Sequence, residues 1–124
     1  MQLTRRQTMK RASEFALVRA AGSSRAGRFL ILSTAPFPAE RADTANGGES
    51  RFGIITTRRM GHAVKRVLAR RRVRELLRKH GDPLASGRYV VVVVRTSAAN
   101  AAYGELEQDF LRLLKRTLNK QAAC

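Results

Sequence analysis

Apolar residues recur along the chain with two periods, and each stretch points to one element. Residues 12–21 (ASEFALVRAA) place Phe15 and Val18 on one helical face, with Ser13 as a candidate N-cap and Gly22 as the stop. Phe29 to Thr34 (FLILST) reads as a strand. Residues 35–50 carry two prolines and a Gly-Gly pair and form a turn-rich loop. Arg51 to Arg58 (RFGIITTR) is the next strand, expected to pair with the first as an antiparallel hairpin. Arg88 to Arg95 holds five consecutive valines, the pattern of a strand buried on both faces and central in its sheet. The passage between 51–58 and 88–95 is long enough for a helix, which allows the two strands to pair in parallel. From about Asn100 to Leu118, the residues Tyr103, Leu106, Phe110, Leu113, Leu114 and Leu118 recur at helical spacing, so a closing helix docks on the sheet.

The helix between those two strands is unlike the others. It opens after Gly61 and closes before Gly81. At 100° per residue, Ala69, Val73, Leu76 and Leu77 form a core-facing stripe, and Arg71, Arg72, Arg74 and Arg78 fall on the opposite arc. Arg66 and Arg70 flank the stripe, where their stems can cover core while the guanidinium stays wet. Val67 and Leu68 break the pattern by sitting on the basic arc. From Arg51 to Lys79 there are eleven Lys or Arg and one acid, Glu75. A core does not need that density of positive charge, so a polyanion is expected against it. Arginine suits phosphate because its planar fork donates two parallel hydrogen bonds.

Composition agrees. The 124 residues carry a net charge of +16 and are 44% hydrophobic, which suits a folded nucleic-acid binder and not a disordered basic tail. One domain over 1–124 is expected, with no repeats and no dividing linker. No run of about twenty apolar residues suggests a membrane partner, and no apolar stretch follows the basic start as in a secretory signal. The single cysteine, Cys124, excludes an intramolecular disulfide and fits a reducing, cytoplasmic setting.

The residues then carry a resemblance. G-H-A-V-K-R-x-x-A-R-R-R-V-R-E, Gly61 to Glu75, resembles the signature of the protein subunit of bacterial ribonuclease P. K-R-x-x-E-F-x-x-V (Lys10 to Val18), A-G-R-F-L (Ala26 to Leu30), T-R-R-M-G (Thr57 to Gly61), the valine strand and Y-G-E-L-E (Tyr103 to Glu107) are similar to that family in the same order. The resemblance implies an α+β fold, an α-β sandwich around a mostly antiparallel four-stranded sheet. Its order would be α-β-β-β-α-β-α, with a left-handed βαβ crossover against the usual hand. The fourth strand would be a short piece near Ser24–Ala26.

The resemblance also implies a function. The family's protein binds a catalytic RNA, and the pair removes the 5′ leader from precursor tRNA in the cytoplasm. The RNA carries the chemistry with Mg2+, held mainly by RNA and substrate, so no catalytic or metal-ligating residue is expected in the protein. By position, Arg58, Arg59, Lys65, Arg66, Arg70, Arg71, Arg72 and Arg74 would contact the catalytic RNA. Phe15, Arg19 and Thr57 would line the leader cleft. Two departures stand out: Arg66-Val67-Leu68 replaces a usual Arg-Asn-Arg triplet, and Arg19 replaces a second cleft aromatic. Phe15 also has a plainer reading as core.

Other functions fare worse. A two-metal phosphodiesterase needs clustered carboxylates about 4 Å apart across the metals, and the nine acids here are scattered. His62 and His80 sit at opposite ends of one helix and read as solvent-facing helix-end residues. A noncatalytic RNA-binding or ribosome-associated protein without a role in tRNA processing is the alternative, separated from the first reading only by the motif string. DNA binding finds no helix-turn-helix spacing and no zinc pattern.

Overall fold

The computed structural model describes Met9 and residues 12–36, 50–84 and 88–122. The basic start, the loop with Glu40, Asp43 and Glu49, and Cys124 lie outside the described residues, as do the side chains of Ser13 and Arg58. The elements are α1 (Ala12–Ala21), β1 (Ser23–Ala26), β2 (Leu30–Pro36), β3 (Arg51–Thr56), α2 (Ala63–His80), β4 (Arg88–Val94) and α3 (Tyr103–Ala122). Short 3-10 turns cover Arg58–Met60, Asp82–Leu84 and Thr96–Asn100. The order α-β-β-β-α-β-α is the expected one, and β1 is the expected fourth strand. No helix among the described residues is long and apolar enough to cross a membrane.

The sheet runs β1-β2-β4-β3. β4 pairs antiparallel with β2, from Leu30 opposite Val94 to Pro36 opposite Arg88. On its other edge it pairs in parallel with β3, from Arg51 opposite Tyr89 to Thr56 opposite Val94. The expected hairpin of β2 and β3 is therefore not formed, although the two strands run in opposite directions. β4 lies between them, because a buried strand needs partners for its N–H and C=O groups on both edges. No tight turn opposes this: fourteen residues separate Pro36 from Arg51.

Strand alternation assigns the valines to two cores. Val90, Val92 and Val94 join Val73, Leu76 and Leu77 of α2 and Leu106, Phe110 and Leu113 of α3 on one face. Tyr89 and Val91, with Val93 at the edge, join Val18, Met9 and Phe15 on the other, under α1. The α2 stripe read from the wheel is the observed one: Ala69, Val73, Leu76 and Leu77 are its buried residues.

Helix ends correct the sequence reading in detail. α3 starts at Tyr103, after the 3-10 turn, where Glu105 Oε1 accepts from the backbone N–H of Ala102 at 3.0 Å. Ser13 lies inside α1 and not at its cap. Asp109 of α3 is buried, and its carboxylate accepts the backbone N–H groups of Arg28, Phe29 and Leu30 at 3.0, 2.9 and 3.0 Å. One charged side chain thus ties the entry of β2 to the closing helix.

Candidate nucleic-acid interface

Two features aim the basic helix. The chain leaves β3 through the 3-10 turn, which buries Met60 and leaves Arg59 exposed. Gly61 then takes φ of +126°, a backbone conformation that a side chain would strain, and turns the chain into α2. At the far end the Gly81 N–H bonds to Leu77 O at 2.8 Å and closes the helix. Burial of the stripe against the β3 side of the sheet and α3 leaves the opposite arc in solvent.

That arc carries Arg71, Arg74 and Arg78, and Lys65 and Arg70 border the stripe; all five are exposed. Arg71, Arg74 and Arg78, with Glu75, line a surface depression of about 410 Å³. Glu75 is matched locally, since Arg78 Nη2 donates to both of its carboxylate oxygens at 2.8 and 2.9 Å. The first turn holds no acid, and His62 at the N-cap makes no side-chain cap bond. No acid therefore interrupts the stretch from Arg59 to Arg74.

The predicted contact residues do not all lie on this arc. Arg72 is half-buried, and its Nη1 donates to Ala101 O at 2.8 Å, tying α2 to the segment before α3. It sits at the shoulder of the helix, where helix packing claims part of its guanidinium. Arg66 is half-buried as well, with Nε enclosed and without a hydrogen-bond partner among the described residues. Arg78, absent from the predicted set, belongs to the exposed group. Val67 and Leu68 are each 46% exposed, as the wheel required, and Val64 beside them is 78% exposed.

Phe15 is half-buried, and its ring lies over β3 at Gly53. A Cβ there would come within 2.6 Å of Phe15 Cε1, so only glycine admits the ring. Gly53 and Ile55 face α1, and Thr57 is next in that alternation beyond the strand end, exposed. Arg19 lies one turn past Phe15 and is exposed. The Phe15 ring thus packs on the sheet, as its plainer core reading has it, and stays partly exposed.

His80 corrects a further expectation. It is half-buried, not solvent-facing, and its Nε2 lies 3.0 Å from Glu107 Oε2 of α3. Neighbouring Lys79 sits 5.5 Å from the Tyr103 ring centroid. His62 is exposed, as expected. Among the described residues no three His, Cys, Asp or Glu side chains group as metal ligands.

The family model described as Ribonuclease P matches residues 3–118. The ribonuclease P protein component of Pseudarthrobacter chlorophenolicus is 32% identical, over 97% of this chain and 83% of that protein. The counterpart from Chloroflexus aggregans is 34% identical, over 92% of this chain and 79% of that protein. Among solved structures, the RNase P protein of Staphylococcus aureus aligns with a TM-score of 0.75 at 21% identity, covering 90% of this chain and 94% of that one. The Thermotoga maritima RNase P protein aligns with a TM-score of 0.72 at 23% identity, covering 88% and 96%. The structural matches share the fold, and the family match spans nearly the whole sequence: the chain belongs to the ribonuclease P protein family.

Proposed function

We propose that this chain is the protein subunit of a ribonuclease P ribonucleoprotein that removes the 5′ leader from precursor tRNA. The observation that carries the proposal is the solvent-facing arc of α2 with its borders. It presents Lys65, Arg70, Arg71 and Arg74 together on a fold of this family, against one acid that Arg78 already neutralises. Such an arc grips folded RNA through its phosphates, by charge and bidentate hydrogen bonds. Arg58 and Arg59 extend the contact into the turn before the helix. Arg66 and Arg72 contribute from the shoulders with what packing leaves free.

Across the sheet, Phe15, Arg19 and Thr57 offer the leader a stacking ring, a cation and a hydroxyl, a combination suited to a single strand of any sequence. Cleavage belongs to the RNA in this proposal. The guanidinium face offers a cation no ligands, so Mg2+ sits with the RNA and the substrate. The protein helps by neutralising phosphate repulsion as substrate and catalytic RNA approach, an effect that matters most when magnesium is scarce.

The test is reconstitution with catalytic RNA from the same source. Cleavage of precursor tRNA at low magnesium is expected to depend on the protein, and the gain is expected to grow with leader length until the cleft is filled. Cleavage indifferent to the protein would support a noncatalytic RNA-binding protein outside tRNA processing instead.

A further inference from the structure

The exposed side of the amino-terminal half of α2 is not uniformly basic. Val64, Val67 and Leu68 are 78%, 46% and 46% exposed. Their i, i+3, i+4 spacing places them side by side, and the next position in the series, i+7, is Arg71. They make a short apolar ridge with Lys65 beside it and Arg71 at its end. Isolated apolar residues on a surface need no explanation. Three adjacent ones in the most cationic stretch of the chain do, because polar residues there would cost nothing.

The border identifies what covers the ridge. A second copy of this chain would bring a charge of +16 against +16, and no acid lies on α2 before Glu75. The partner therefore combines apolar surface with closely spaced anions. Duplex RNA fails the first requirement, since its bases are stacked inside and its groove edges are polar. Unpaired RNA meets both, because a splayed base has an apolar face with a phosphate on either side. We infer that the Val64–Val67–Leu68 ridge is a nucleobase-contact site that takes an unpaired loop or bulge of RNA, with Lys65 and Arg71 holding the flanking phosphates. The inference rests on the proposed RNA-binding function and specifies which RNA feature this part of the interface meets.

Aliphatic side chains act here as apolar wedges do when they insert between nucleic-acid bases. The contact is not ionic, so it adds affinity without adding salt dependence. A ridge residue and a neighbouring arginine therefore leave different signatures in the same measurement.

The test measures binding to catalytic RNA from the same source across a salt series, for the wild type, Val67→Ala/Leu68→Ala and Arg71→Ala. The ridge double variant is expected to bind about tenfold more weakly at every salt concentration, with the log–log slope unchanged. Arg71→Ala is expected to lower the slope by about one. Chemical probing is expected to show base protections at unpaired positions that the wild type makes and the double variant does not. Alanine suits an exposed helix position, so melting temperature is expected to stay put.

Wild-type affinity in the double variant would overturn the inference. So would a change in its salt slope, or protections lost only from duplex regions. A fall of several degrees in its melting temperature would show that these side chains pack within the chain, and loss of a wild-type dimer would show that a second copy covers them; either result also overturns it. Failure of the wild type to bind the RNA at all would instead sink the proposed function.

Discussion

Asp109→Ala is the sharpest test of how this fold is held. The residue is 3% exposed, and its carboxylate accepts three backbone N–H groups from the segment entering β2, about eighty residues earlier in the chain. Alanine leaves the Phe29 and Leu30 donors buried with no acceptor, at about 1–2 kcal/mol each, and the half-exposed Arg28 donor at about 1 kcal/mol or less. The desolvation that the buried carboxyl group no longer suffers offsets part of this loss. The net loss is about 3 kcal/mol. With an unfolding entropy of about 2.1 cal/mol/K per residue, that lowers the melting temperature by about 12 °C. Thermal and urea melts followed by circular dichroism measure it, with an unchanged urea m-value showing that the native state stays compact. Asp109→Asn keeps one acceptor oxygen but turns an amide N–H toward a donor, so it falls between wild type and alanine. A melting temperature within about 2 °C of wild type for Asp109→Ala would refute the reasoning, because three orphaned donors are not that cheap.

Four further outcomes are expected. Gly53→Ala drives a Cβ against the Phe15 ring, costs about 1–3 kcal/mol in α1 docking, and reduces the dependence of cleavage on leader length more than affinity for the catalytic RNA. Arg71→Ala and Arg74→Ala together lower the slope of log affinity against log salt by about two and leave urea stability within about 0.5 kcal/mol, read from binding isotherms and melts. Arg72→Ala behaves differently, since losing the bond to Ala101 O costs about 1 kcal/mol of stability and less than one unit of salt slope. Phe110→Ala removes a fully buried ring from the core between the sheet and the two helices and costs about 3–5 kcal/mol by urea denaturation.

Local pattern reached far in this protein. The five-valine run declared a central strand because burial on both faces removes the need for polar alternation. The α2 stripe declared its core face because helical period fixes which residues share a side. The same wheel put Val67 and Leu68 in solvent, where the structure has them. The motif from Gly61 to Glu75 named the family, since its spacing is held by one helix and needs no knowledge of the fold.

Tertiary structure decided what depends on residues far apart in the chain. Alternation in β2 and β3 shows each strand's faces but not its neighbour, so the insertion of β4 between them was invisible until all four strands were in one sheet. Asp109 was only one of nine scattered acids in the sequence, and its buried role appeared only when β2 entered beside α3. Arg72, Arg74 and Arg78 look alike in sequence; contact with the segment before α3 makes the first a shoulder residue and leaves the others facing solvent. His80 gained Glu107 in the same way. The physical reason is one of range: periodicity reports which side of an element is buried, while hydrogen-bond partners and strand order are set by which elements meet.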